Sequence, residues 1–183
     1  DLLLAHVPDV GPLRASLLAG GRSNLTYALT DGTHRWVLRR PPLGHVLATA
    51  HDMRREYRVL RALAPTPVPV PRTVLECPDA DVLGAPFYVM EQVDGVVYRT
   101  AADLALLDAD GARRLGHACV DALADLHVVD PAAVGLADFG RPDGYLDRQV
   151  RRWTAQLAAS RSREVPGFAL LADRVAGTVP VTQ

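Results

Sequence analysis

The rhythm of hydrophobic and polar positions changes about halfway along the chain. Up to about residue 93, apolar side chains come in short alternating runs broken by turn residues; beyond it they recur at helical spacing. Leu13 to Ala19 reads as a strand and Gly20-Gly21-Arg22-Ser23-Asn24 as a turn. Leu25-Thr26-Tyr27-Ala28-Leu29 alternates, Asp31-Gly32 signals a hairpin, and His34 to Arg39 resumes as a strand. Pro41, Pro42 and Gly44 stop the pattern. Met53, Tyr57, Leu60 and Leu63 then predict one amphipathic helix over about Thr49 to Ala64. Pro65, Pro67, Pro69 and Pro71 forbid helix and favour an extended connector. Arg72 to Glu76 and Pro86 to Val93 predict two more strands, joined through the turn Pro78-Asp79-Ala80-Asp81.

The second half reads as helical. Leu115, Cys119, Ala122, Leu123 and Leu126 mark one helix face, with Asp108 and Asp110 near the N-terminus, where the helix dipole favours acids. Asp130 to Asp143 reads as loop. Leu146, Val150, Trp153 and Leu157 form an apolar stripe at i, i+4, i+7 and i+11, with Trp153 expected in a core. A last helix runs from about Pro166, placed at N1, to Ala176. The expected fold class is α+β: a five-stranded antiparallel lobe with one helix over residues 1–93, followed by a helical lobe over 94–183.

Composition narrows the function classes. The 183 residues are 49% hydrophobic, which excludes a disordered chain, and no apolar run reaches the ~20 residues of a membrane span. A net charge of −1, with Arg pairs dispersed among acids, argues against a nucleic-acid partner. Cys77 and Cys119 cannot build a disulfide framework, and no signal-peptide pattern opens the sequence, so a cytoplasmic setting is expected. All 20 basic residues are Arg. A site that commonly uses lysine must therefore use arginine or go without.

Four stretches carry candidate chemistry. Gly20-Gly21-Arg22-Ser23-Asn24 joins two strands, which excludes a Walker loop and a dinucleotide fingerprint, both of which open a helix. A Gly-rich hairpin can still offer backbone N–H groups to a triphosphate; an ordinary β-turn is the alternative. Arg39, ending Trp36-Val37-Leu38-Arg39, stands where a protein kinase carries the lysine of V-A-I-K. Glu56 sits mid-helix, where a kinase has the glutamate that pairs with that lysine. Taken singly, either could be a solvated surface charge. Finally, Phe87-Tyr88-Val89-Met90-Glu91-Gln92-Val93-Asp94-Gly95 resembles a kinase hinge: Met90 would line the adenine slot, while Glu91 C=O and Val93 N–H would pair with the base. A core strand with an exit turn is the alternative.

On these stretches the chain resembles the aminoglycoside phosphotransferase (choline-kinase-like) family. The likeness is greatest to the branch related to kinase-like domains fused to acyl-CoA dehydrogenases. Gly20 to Tyr27, Val37-Leu38-Arg39, Arg55 to Leu60, Tyr88 to Glu91, Leu123-Ala124-Asp125-Leu126-His127 and Val134-Gly135-Leu136 carry it. The resemblance implies a protein-kinase-like bilobal fold, ATP and Mg²⁺, and transfer of the γ-phosphate to a hydroxyl-bearing small molecule. It implies nucleotide contacts from Gly20, Gly21, Arg22, Ser23, Asn24, Val37, Arg39, Glu56, Met90, Glu91 and Val93. The family's H-G-D-x-x-x-x-N signature and its Mg²⁺ ligands are not in this sequence, and the resemblance places them beyond Gln183. A non-catalytic nucleotide-binding scaffold is the alternative function. Asp138-Phe139-Gly140 spells the kinase D-F-G, but the position five residues after Asp130 is Gly135 rather than Asn. A loop between helices is expected there.

Overall fold

The computed structural model describes residues 2–18, 24–42, 52–160, 163 and 165–180. Five antiparallel strands form one sheet: β1 (Arg14–Leu17), β2 (Leu25–Thr30), β3 (Arg35–Arg40), β4 (Thr73–Cys77) and β5 (Phe87–Glu91), in spatial order β1-β2-β3-β5-β4. The chain leaves β3, passes through helix α1 (Met53–Leu63), lays β4 at the far edge, and returns with β5 between β3 and β4. The β4–β5 register shifts between Thr73 and Leu75.

The β2–β3 hairpin is held by one carboxylate. Asp31 accepts the Thr33 N–H at 2.8 Å, the His34 N–H at 2.6 Å and, from outside the turn, the Gly11 N–H at 3.3 Å. Its side chain is 2% exposed and also meets His34 Nδ1 at 2.9 Å. These hydrogen bonds, those of His34 foremost, hold the Asp31 carboxyl well below the usual carboxylate range. Gly32 takes a φ of 96°, which a side chain would strain.

The central strands are buried on both faces, so Trp36-Val37-Leu38 and Phe87-Tyr88-Val89 are buried without alternation. On one face Leu29, Trp36, Leu38, Leu75, Cys77, Phe87 and Val89 form an apolar core with Leu3, against which Val7 and Val10 also pack. Helix α1 packs on β4 and β5. Asp52 caps α1, its carboxylate accepting the Arg55 N–H at 2.9 Å. The helix therefore starts at Met53 rather than near Thr49; residues 49–51 lie outside the described part, as do Ala19 and the Gly20–Ser23 turn.

Two short helices were not foreseen. The Pro78–Asp81 turn runs into α2 (Ala80–Leu83), capped by Asp79 and stopped by Gly84 at φ 79°. Helix α3 (Ala101–Leu104) is fixed by a capping box between Thr100 and Asp103. Helix α4 (Ala109–Val128) carries Asp108 as N-cap and Asp110 in its first turn. Asp138, Phe139 and Gly140 lie outside helix and strand, between α4 and the next helix.

The chain divides into two compact units, Asp1–Gly135 and Leu136–Gln183. In the second, α5 (Tyr145–Ser160) and α6 (Phe168–Gly177) pack on each other. Trp153 is not a core residue: it is 57% exposed, with the Arg152 guanidinium 5.2 Å from its ring centre. Nor is Pro166 at N1. Gly167, at φ 79°, is the N-cap and Phe168 the first helical residue, because the left-handed glycine turns the chain just before the helix.

Candidate functional site

Strand register sorts the candidate residues by face. Val37 lies opposite Met90 and Arg39 opposite Tyr88 across β3 and β5. Side chains alternate along a strand, so these four share the face away from the Trp36–Phe87 core. Val37 is buried and Met90 half-buried.

Helix α1 brings Glu56 to this face. Glu56 Oε2 stands 3.4 Å from Arg39 Nε, each side chain about a third exposed. That is a charge contact without hydrogen-bond geometry, since Arg39 Nε is buried and has no hydrogen-bond partner. Two neutral groups complete the carboxylate's surroundings. Asn24, at the mouth of β2, donates from Nδ2 to Oε1 at 3.0 Å, and Tyr88 donates its hydroxyl to Oε2 at 3.0 Å. Tyr88 is 1% exposed. Burial, and then the Glu56 charge, push its phenol far above the ordinary tyrosine range, so it stays a donor at neutral pH.

Around Glu56 the fold therefore brings together Asn24, Arg39 and Tyr88, from the entry to β2, from β3 and from β5 respectively. Sequence reasoning missed Tyr88. The available signal was its spacing: two residues before Met90 on a strand, it had to share Met90's face, and a buried tyrosine hydroxyl needs a partner.

The β5 exit is held from both sides. The Glu91 N–H donates to the Arg72 C=O at 2.8 Å and the Gln92 N–H to the Arg35 C=O at 3.3 Å. Side chains repeat the pairing, Arg72 Nε to Glu91 Oε2 at 3.1 Å and Arg35 Nη2 to Asp94 Oδ2 at 2.5 Å. Val93 follows the strand and is 68% exposed. Its N–H has no intramolecular acceptor among the described residues. Gly20, Gly21, Arg22 and Ser23 lie outside the described residues. A cavity of about 270 Å³ lined by Pro41, Met53, Cys77 and Phe87 opens at the other end of β5, away from Met90 and Val93. Among the described residues no three His, Cys, Asp or Glu side chains are grouped to hold a metal ion, and no helix is long and apolar enough to cross a membrane.

A five-stranded antiparallel sheet with one helix, followed by helices, is the kinase-like α+β fold of phosphotransferases. Residues 14–182 match the model of the phosphotransferase enzyme family, and the chain belongs to that family. It is 37% identical over 171 residues to acyl-CoA dehydrogenase family member 11 of Gallus gallus, covering 93% of this chain and 22% of that protein. Against acyl-CoA dehydrogenase family member 10 of Mus musculus it is 36% identical over 162 residues, 87% of this chain and 15% of the relative. A crystal structure described as a candidate aminoglycoside phosphotransferase from Ralstonia eutropha superposes with a TM-score of 0.80 at 33% identity, covering 98% of this chain and 52% of that one. The chain thus spans about a fifth of these curated relatives and about half of the solved structure.

Proposed function

We propose that this chain supplies the nucleotide-binding part of an ATP-dependent phosphotransferase, which moves the γ-phosphate to a hydroxyl of a small molecule. The observation that carries this reading is the Arg39–Glu56 charge contact on the sheet face shared with Val37 and Met90. Catalysis of phosphoryl transfer is mainly positioning and electrostatics, and a cation held by a carboxylate is the part that receives the α- and β-phosphates.

In this reading Arg39 neutralises the phosphates and Glu56 orients it. The Gly20–Asn24 turn covers the phosphates with backbone N–H groups. Val37 and Met90 flank adenine, whose edge pairs with Glu91 C=O and Val93 N–H. Arginine meets the phosphates with a planar fork of donors, where lysine would present a point charge. Magnesium would neutralise charge on the phosphate oxygens. Among the described residues no three acidic, imidazole or thiol side chains are grouped, and no step is assigned through the ion. The acceptor hydroxyl and the base that takes its proton are likewise not assigned to residues of this chain.

The test is ATP titration of the complete protein, followed by ADP release in the presence of hydroxylated small molecules. Saturable ATP binding with acceptor-dependent ADP release is expected. Absence of ATP binding overturns the reading, whereas binding without turnover on any acceptor supports the scaffold alternative.

A further inference from the structure

An arginine facing a carboxylate normally closes onto it with two parallel N–H···O bonds, which uses one edge of the guanidinium and both carboxylate oxygens. The pair in this fold is not closed. Glu56 Oε1 is taken by Asn24 Nδ2 at 3.0 Å, Oε2 receives the Tyr88 hydroxyl at 3.0 Å, and Arg39 Nε stops at 3.4 Å from Oε2 with no hydrogen bond made. A carboxylate has roughly four acceptor sites in its plane. Two are filled by neutral donors, Asn24 from the start of β2 on Oε1 and Tyr88 from β5 on Oε2, which leaves each oxygen fewer sites for a fork, and Arg39 Nε makes no hydrogen bond to either.

We infer that Tyr88 and Asn24 are positioning residues for Arg39: by occupying both oxygens of Glu56 they keep the guanidinium paired in charge but unforked, and so leave its donors for a polyphosphate. The inference rests on the proposed nucleotide site and extends it by two residues and a mechanism. Tyr88 suits the role because it lies directly opposite Arg39 in the β3–β5 register and is almost wholly buried. Its hydroxyl cannot turn to water. Asn24 suits it because it is buried just before β2, so its hydrogen bond ties the start of that strand to α1. An arginine needs such a device and a lysine would not, since an ammonium has no second edge to close.

The test compares ADP with adenosine, in the complete protein, by NMR titration. Tyr88→Phe removes the hydroxyl and keeps the ring. It is expected to weaken ADP binding roughly tenfold, the scale of one charge-assisted hydrogen bond, while leaving adenosine affinity within about twofold. Asn24→Ala should act in the same direction, and it serves as the second probe if Tyr88→Phe lowers the melting temperature. In an Arg39→Lys background, where no fork can form, Tyr88→Phe should leave ADP affinity unchanged. Equal losses for ADP and adenosine, unchanged ADP affinity in both variants, or the same loss in the Arg39→Lys background would each overturn the inference. Lack of ADP binding by the unsubstituted protein overturns the nucleotide site itself, and the inference with it.

Discussion

The two faces of the sheet are made by the same strands, yet they are held together by different physics. One face presents Trp36, Leu38, Phe87 and Val89 to Leu3, Leu29 and Leu75, an apolar core without a charged member. The other, one residue out of step, presents Arg39, Tyr88, Val37 and Met90 and meets Glu56 of α1. Burial stabilises the first and tolerates any apolar side chain of the right volume. The second depends on donors and acceptors meeting at about 3 Å, where losing one partner strands the other. If the proposed nucleotide site is right, stability and ligand binding rest on opposite faces of β3 and β5, and substitutions should separate them.

The largest expected effect is on the apolar face. Phe87→Ala removes a ring that is 4% exposed, and it should cost about 3–5 kcal/mol of stability in chemical denaturation. A loss under about 1 kcal/mol would mean that this face is not the core. Arg39→Ala is the converse. In the complete protein it should lower phosphotransfer kcat/KM roughly a hundredfold, in line with loss of a preorganised charge donor. Its melting temperature should move little, because Asn24 and Tyr88 still satisfy Glu56. Near-normal turnover would remove Arg39 from its proposed role.

A smaller effect is expected where the apolar face is fastened. Asp31 ties the β2–β3 hairpin to Gly11, just beyond the segment that covers the core. Its folded-state pKa is depressed, so its contribution is complete above the unfolded carboxylate value of about 4 and is lost as pH falls through the folded value. Asp31→Asn should lower the melting temperature by a few degrees at pH 7, and the gap to the unsubstituted protein should narrow as pH falls below about 4. A gap that stays constant with pH would show that the carboxylate's charge is not what matters. The smallest effect belongs to neither face. Trp153→Ala removes a side chain 57% exposed on α5 and should change stability by no more than about 0.5 kcal/mol.

The sheet was legible because its edges and turns carry strong local signals. Asp31-Gly32 fixes the hairpin, and prolines 65 to 71 forbid a helix between α1 and β4, although the connector turns and bends over residues 64–68 before it extends. The signals fail where burial is two-sided. Period two disappears from Trp36-Val37-Leu38 and Phe87-Tyr88-Val89, since both faces of the central strands are covered. The stripe through Leu146, Val150, Trp153 and Leu157 gave α5 correctly but misplaced Trp153, because periodicity gives a helix its apolar side without saying whether anything packs on it. The one-turn helices α2 and α3 escaped notice because a single capped turn has no periodicity to read.

Sequence alone determined the order of the strands and the longer helices, the positions of Arg39 and Glu56 on a strand and a helix, and the exclusion of a Walker-type loop, all of which depend on local spacing and backbone preference. Tertiary structure decided that β5 lies between β3 and β4, which sets Tyr88 opposite Arg39 although 49 positions separate them in the chain. It also decided that Asn24 and Tyr88 meet on the two oxygens of one carboxylate. No local pattern encodes either result, because strand order and side-chain partnership are settled by which surfaces bury each other.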